Sequence, residues 1–204
     1  MIMMQQDLDK KDKKEQTFKD KVIINFYDIA SVLASAIVTI MLLFTFVFRV
    51  VGVVGSSMVP TLHDNDWLIV SAYDNNPSYG QVVIITQPNW FDEPIVKRII
   101  ATENQTVDID FATGDVTVDG KVLDEPYINN ETLNSEGVEF PVTVPDGCVF
   151  VMGDNRQGST DSRSEKIGFI DERYIMGVVK CKLFSADPYS GKLKFNSPKE
   201  WKVR

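Results

Sequence analysis

The 204-residue chain is poor in the residue types that build metal sites and histidine-based catalytic sites. It has one histidine, His63, and two cysteines, Cys148 and Cys181. That inventory excludes a zinc site of the Cys/His kind and a scaffold held by many disulfides. The two cysteines lie far apart in apolar-rich stretches, which favours two buried thiols over a disulfide. We expect no metal and no cofactor.

A surplus of positive charge is also lacking. The chain has 21 Lys and Arg against 29 Asp and Glu, a formal net charge of −8. Proteins bind nucleic acid largely by neutralising its phosphates with basic side chains, so this balance argues against a nucleic-acid partner. Internal repeats and Gly-rich phosphate loops are absent as well.

The sequence does contain one long apolar run. Residues 29–48 are 20 residues without a charge, which as a helix at about 1.5 Å per residue span about 30 Å, the thickness of the hydrocarbon core of a bilayer. A cleavable signal peptide is the competing interpretation, but the run is longer than usual for one and 28 residues precede it. We therefore predict a tail over 1–28 and a retained transmembrane anchor over 29–48, in contact with membrane lipid.

The distribution of Lys and Arg predicts the orientation of that anchor. Six lysines precede the run, whereas Arg49 is followed by no basic residue until Lys97. The amino terminus is therefore expected in the cytoplasm, with residues 49–204 outside the cell membrane. Residues 51–204 carry a net charge of −9, since seven of the 21 basic and six of the 29 acidic residues precede them.

Residues 49–204 have the pattern of a mainly β domain. The clearest hairpin has Asp119-Gly120 at its centre, a pair that suits the positive φ angles of a type I′ turn. Only residues 171–173 resemble a helical turn. Short apolar or alternating runs, each predicted to be a strand, recur at 67–73, 81–86, 94–102, 106–111, 116–123, 149–152 and 174–184.

Three segments contain residues suited to catalysis, and each also has an ordinary structural interpretation. Residues 55–62 (GSSMVPTL) are either a plain linker or a tight loop that presents a hydroxyl beside backbone N–H groups. Strand alternation places Lys97 in the apolar row of Ile95 and Ile99, where its amine either reaches solvent or is desolvated with a lowered pKa. Residues 153–163 (GDNRQGSTDSR) are either a polar surface loop or a buried network that holds a site together.

A serine nucleophile needs a base, and the chain offers two candidates. His63 lies beside Asp64 and Asp66 and is expected to be a solvated loop residue. A lysine can serve instead if burial favours its neutral amine. Lys97 is the lysine set in an apolar row near the front of the domain.

Taken together, the three segments resemble the ordered motifs of bacterial type I signal peptidases. The first carries SMVPTL from Ser57, the second Lys97-Arg98, and the third the highly specific pattern GDNRxxSxDSR from Gly153. The resemblance implies Ser57 as nucleophile and Lys97 as general base, with Ser159 hydrogen-bonded to the lysine amine and orienting it. It covers the anchor and most of the remaining chain.

The same resemblance implies roles for the surrounding residues. Asp161 and Arg163 would form a structural pair that braces the site. The oxyanion hole would use the Ser57 N–H and a backbone donor at Gly55, which has no hydroxyl. Other implied residues are Asp154 and Arg156 in the supporting network, and Met58, Leu62, Ile95 and Val96 in the pockets for the −1 and −3 residues of the substrate.

The family cleaves signal peptides from exported preproteins after Ala-x-Ala-like sites. The resemblance therefore implies a membrane-bound serine endopeptidase whose partners are the signal peptides of secreted preproteins. It implies a fold of coiled antiparallel β-sheets, with an insertion that we place at about 103–140. The chain departs from the family at residues 101–105, where a glycine-rich turn is common. Asn104 can adopt a left-handed turn conformation there, so we expect the turn to be kept.

Two other functions remain open. A self-cleaving repressor uses the same Ser/Lys chemistry, but such proteins are soluble and carry a DNA-binding domain. A non-catalytic membrane-anchored β domain that binds exported proteins would need Ser57, Lys97 and Ser159 to coincide without purpose. Turnover of a preprotein separates this second alternative from the enzyme.

Overall fold

The computed structural model of the protein describes residues 2–72, 76–86, 93–187 and 190–197. The chain separates into two compact units, with the division between residues 46 and 47. The end of the predicted strand 67–73, at residue 73, lies outside the described residues, as do residues 198–204 of the predicted domain. The fold is mainly β with one amino-terminal helix, which confirms the predicted class.

The first unit is a single long helix, α1 (Ile2–Phe46). Within it, Asn25–Thr45 is long and apolar enough to cross a membrane, and its side chains are exposed. The helix ends two residues before the charge-free run does, because Phe48 already belongs to a strand. Four hydroxyls in the run donate to carbonyl oxygens about one turn earlier at 2.7–2.8 Å, as a bilayer requires of polar groups: Ser31, Ser35, Thr39 and Thr45.

The second unit contains twelve strands within the described residues. One 3₁₀ turn, Glu172–Tyr174, precedes the longest of them and lies where the helical turn was predicted. In chain order the strands are β1 (Phe48–Gly52), β2 (Trp67–Ser71), β3 (Val82–Ile85), β4 (Ile95–Ala101), β5 (Thr106–Asp110), β6 (Asp115–Val118), β7 (Lys121–Val122), β8 (Val142–Thr143), β9 (Cys148–Met152), β10 (Ile170–Asp171), β11 (Ile175–Ala186) and β12 (Leu193–Phe195).

These strands form two antiparallel sheets. The larger sheet has the order β1-β2-β11-β3-β4-β9-β10, with β12 paired to β11. The smaller sheet has the order β7-β6-β5-β8 and covers Thr106 to Thr143, close to the predicted insertion. The predicted runs match the longer strands, whereas β1, β8, β10 and β12 were not predicted. Two of these have only two residues, and β1 begins inside the apolar run, at Phe48.

Two local turn predictions are confirmed. Asp119 and Gly120 have φ angles of 52° and 75°, and Val118 pairs with Lys121 across the resulting two-residue hairpin. Asn104 has a φ of 64°, and its N–H donates to the Val144 carbonyl oxygen at 2.8 Å. The turn after β4 is thus kept by an asparagine in the left-handed region.

Strand β4 lies in the interior of the larger sheet, between β3 and β9. Ile99 and Ile100 point to different core clusters, so the strand is covered on both faces. Cys148 and Cys181 are free thiols that do not pair, and both are partly rather than fully buried.

Candidate active site

Ser57 lies in a turn that follows β1 and is held by two apolar residues of the same loop. Met58 and Leu62 are 2% and 0% exposed and belong to the core cluster beneath the sheet. The Leu62 N–H donates to the Met58 carbonyl oxygen at 2.8 Å, which closes the loop. Because both side chains are buried, the segment is a fixed loop rather than a free linker.

Lys97 meets this loop from β4. Its residue surface is only 4% exposed, and its Nζ donates to Ser57 Oγ at 2.8 Å. Burial lowers the pKa of the Lys97 amine to about 8, although the carboxylates of Asp161 and Glu136 counteract part of that effect. Of the two interpretations of this lysine, the desolvated one is therefore correct, and a neutral amine is accessible near neutral pH.

Ser159 is close to the pair but makes no hydrogen bond to the lysine amine. Its Oγ is buried and has no hydrogen-bond partner among the described residues. A Cβ at Gly153 would lie 2.3 Å from Ser159 Oγ and 2.5 Å from the Ser57 carbonyl oxygen. The predicted bond from Ser159 to Lys97 is thus absent, because the amine is directed at Ser57 and the serine packs on Gly153.

Asp161 and Arg163 form a fully buried ion pair beside Gly153. Arg163 donates to Asp161 through Nε at 2.8 Å and through Nη2 at 2.9 Å, the bidentate geometry that best orients both groups. Asp161 Oδ2 also accepts the Gly153 N–H at 2.9 Å. The pair therefore fixes the backbone against which Ser159 and Ser57 pack.

Asp154 and Arg156 do not bind each other, and each pairs with a residue that we did not predict. Asp154 accepts from Arg98 Nε and Nη2 at 2.8 and 2.7 Å, and also from the Thr61 hydroxyl. Arg156 donates to Glu125 at 2.8 Å. Arg98 follows Lys97 in the motif and could have been found there, whereas nothing local marked Glu125.

Asn155 is another residue of the site, and no role was predicted for it. Its N–H donates to the Ser57 carbonyl oxygen at 3.0 Å, and its side-chain Nδ2 donates to the Ser56 carbonyl oxygen at 3.2 Å. Through these two bonds the loop after β9 holds the loop that carries Ser57. Its place inside the Gly153–Arg163 motif was the available signal.

The Gly55 N–H, predicted as the second oxyanion donor, is already occupied. It donates to Asp64 Oδ1 at 2.9 Å. Gly55 has a φ of 93°, a conformation that favours glycine. The Ser57 N–H, by contrast, makes no hydrogen bond within the described part of the chain.

A cavity of about 290 Å³ opens beside Ser57 and Lys97. Glu93 and Pro94 lie at one side of it. Its apolar lining consists of Val51, Val54, Ile84, Ile95 and Val96.

The four residues predicted for the substrate pockets divide into two groups. Ile95 and Val96 line this cavity. Met58 and Leu62 do not, because their side chains are used to anchor the Ser57 loop in the core. His63 lies in the same loop, and its backbone N–H donates to Asp66 Oδ2 at 2.9 Å.

Comparison with known proteins identifies relatives that span both the helix and the β domain. A family model described as "Signal peptidase, peptidase S26" matches residues 26–184. Signal peptidase I of Bacillus amyloliquefaciens is 34% identical over 184 residues, covering 85% of this chain and 95% of the relative. Signal peptidase I S of Bacillus subtilis (strain 168) is 34% identical over 179 residues, covering 82% of this chain and 92% of the relative.

A solved structure gives a more distant match. The crystal structure of a signal peptidase I from Enterococcus faecalis V583 is 26% identical and has a TM-score of 0.42, covering 50% of this chain and 96% of that one.

The family model covers well over half of this chain, and the two Bacillus relatives align along nearly their full length. The chain therefore belongs to the signal peptidase family, peptidase S26.

Proposed function

We propose that the protein is a membrane-bound serine endopeptidase that removes signal peptides from exported preproteins, with Ser57 as nucleophile and Lys97 as general base. The observation that carries this proposal is the 2.8 Å contact between Lys97 Nζ and Ser57 Oγ inside a buried site. A serine hydroxyl needs a base within hydrogen-bond reach, and a desolvated amine with a pKa of about 8 supplies one.

The chemistry follows from that geometry. The neutral Lys97 amine accepts the Ser57 hydroxyl proton as Oγ attacks the scissile carbonyl carbon. The ammonium then returns the proton to the leaving amine as the peptide C–N bond breaks, which leaves an ester on Ser57. Water attacks the ester with Lys97 again accepting the proton, and the Ser57 hydroxyl is restored.

The oxyanion formed in each attack needs backbone donors. We assign the Ser57 N–H to this role because it has no acceptor within the described residues. The Gly55 N–H becomes a second donor when its bond to Asp64 opens.

Specificity for small residues at −1 and −3 is supported by the cavity beside the nucleophile. At about 290 Å³, with valine and isoleucine side chains in its lining, it has room for small apolar groups. Ile95 and Val96 occupy its wall directly before Lys97, so a residue seated against them lies next to the reacting pair.

The membrane placement rests on the helix and the charges around it. Asn25–Thr45 crosses the bilayer in this proposal, with the lysine-rich tail in the cytoplasm and the β domain outside. Preproteins present their cleavage sites at that outer surface after export. The substrate and the catalytic loop are then on the same side of the membrane.

Cleavage of a preprotein by the purified protein in detergent tests the proposal. The wild type should release the mature protein, whereas Ser57→Ala and Lys97→Ala should each lose at least about 10³-fold in kcat/KM while keeping the wild-type circular dichroism spectrum. The double variant should lose no more than either single variant, because the two residues act as a unit. A wild type that binds preprotein without cleaving it would instead identify a non-catalytic binding domain.

A further inference from the structure

The irregular segment between β7 and β8 supplies acidic partners to two buried arginines of the catalytic region. Arg156 meets Glu125 at 2.8 Å and the Thr132 hydroxyl at 2.7 Å. Arg163 Nη2 lies 3.6 Å from Glu136 Oε1. Both arginine side chains are completely buried. The segment is therefore tied to the site by charge as well as by packing.

Glu136 is held firmly in this arrangement. Its backbone forms a β-bridge with Ser164, and the nearby Val138 N–H donates to the Arg163 carbonyl oxygen at 3.2 Å. Its side chain is 22% exposed. A carboxylate that is fixed and largely removed from water acts on neighbouring charges with little screening.

A short path of contacts connects Glu136 with the nucleophile. Glu136 faces Arg163, Arg163 binds Asp161 through two hydrogen bonds, and Asp161 accepts the Gly153 N–H. Gly153 in turn packs against the Ser57 carbonyl oxygen.

We infer that Glu136 is a positioning residue for the Ser57–Lys97 pair, because its carboxylate holds Arg163 on Asp161 and places a negative charge near the lysine amine. The inference rests on the proposed function. Glu136 touches neither nucleophile nor substrate and acts through its neighbours. Glu136 lies in the irregular segment between β7 and β8. This segment is outside the three sequence motifs that marked the site.

The charges around Lys97 and Glu136 set the direction in which a substitution of Glu136 shifts the pKa of Lys97. For Lys97, burial lowers the pKa, Asp161 and Glu136 raise it, Arg163 lowers it and Asp154 raises it. For Glu136, burial and Asp161 raise the pKa of the carboxyl, whereas Arg163 and Lys97 lower it. Removing the negative charge at Glu136 therefore destabilises the Lys97 ammonium and favours the neutral amine at lower pH.

The test is the pH dependence of kcat/KM for peptide cleavage by Glu136→Gln in the full-length protein. We expect the rising limb to move to lower pH by about 0.5 to 1 unit relative to the wild type. Glu136→Asp keeps the charge, so its limb should remain at the wild-type position. Glu139→Gln removes the same charge from an exposed site in the same segment and should leave the limb unchanged.

The outcomes separate this inference from the proposed function. In Glu136→Gln, a lower maximum of kcat/KM with the midpoint of its pH profile unchanged would make Glu136 a purely structural brace. That result would overturn the inference. Glu136→Ser gives a second neutral variant, and failure of both to show a cooperative melt would overturn the inference in the same way. Absence of cleavage by the wild type, or full cleavage by Lys97→Ala, would instead refute the Ser/Lys mechanism itself.

Discussion

In the proposed mechanism Lys97 can act as a base because the fold keeps its amine out of water. At its ordinary pKa of 10.5, roughly one amine in 300 would be neutral at pH 8, whereas at a pKa of about 8 about half are neutral. The hydrogen bond to Ser57 does not depend on the charged form of Lys97. A neutral amine can donate a hydrogen bond through an N–H and accept one through its lone pair. Burial on β4 thus gives Lys97 the neutral amine that the proposed mechanism requires.

The first prediction at this scale concerns the rate of cleavage. If the neutral amine of Lys97 is the reactive form, as proposed, kcat/KM on a peptide should rise with unit slope through a midpoint near about 8. Lys97→Arg should be inactive, since a guanidinium does not give up its proton at that pH. His63→Gln should leave the limb in place. A limb near ~6.5 that disappears in His63→Gln would assign the base to histidine.

The second prediction concerns stability. Between about pH 8 and 10.5 the unfolded chain carries a proton on Lys97 that the native chain does not, so the free energy of unfolding rises with pH across that window. Below pH 8 the native state therefore bears the full cost of keeping the buried Lys97 amine protonated, which is about 3 kcal/mol. Lys97→Met should be inactive yet more stable than the wild type at pH 6.5, as seen in urea melts.

That gain should shrink as the pH is raised from 8 to 10.5, because methionine does not titrate. A control is Lys121→Met, on the exposed end of the hairpin, which should show no such pH-dependent difference. A Lys97→Met variant less stable than the wild type throughout would mean that the ammonium is stabilised in the native state.

At the scale of elements, local patterns predicted what depends on nearest neighbours in the chain. The alternation around Lys97 and the Asp119-Gly120 pair predicted a strand and a turn that the structure contains. β1 was missed because it begins inside the apolar run, at Phe48, which was predicted to be helical throughout. The position of β4 between β3 and β9 could not be predicted, since strand order depends on contacts between distant segments.

The whole molecule consists of a helix suited to a bilayer and a β domain that carries the complete Ser/Lys contact. Removal of residues 1–46 keeps β1, which pairs with β2 along five residues. We expect this truncated protein to cleave a short soluble peptide within about threefold of the wild-type kcat/KM, because Ser57 and Lys97 both lie in the second unit. Processing of a preprotein in lipid vesicles should fall much further.

Removal of residues 1–52 serves as the matched control. It deletes β1 and exposes the edge of β2. Cleavage of both substrates should therefore be lost, together with the cooperative melt. An equal loss of both activities in the shorter truncation, with the fold intact, would contradict a purely anchoring role for the helix.

The apolar helix, the mainly β class, the hairpin turn and the residue types of the site could all be predicted from the amino-acid sequence, because they depend on composition, periodicity and motif spacing. Which groups meet depends on the tertiary structure. It brought Lys97 to Ser57 across 40 residues of chain, paired Arg98 with Asp154, and placed Glu125 and Glu136 against the two buried arginines. It also directed Gly55 to Asp64 and left Ser159 without a partner among the described residues. Desolvation and hydrogen-bond partners arise from packing between segments far apart in the chain, which no local pattern records.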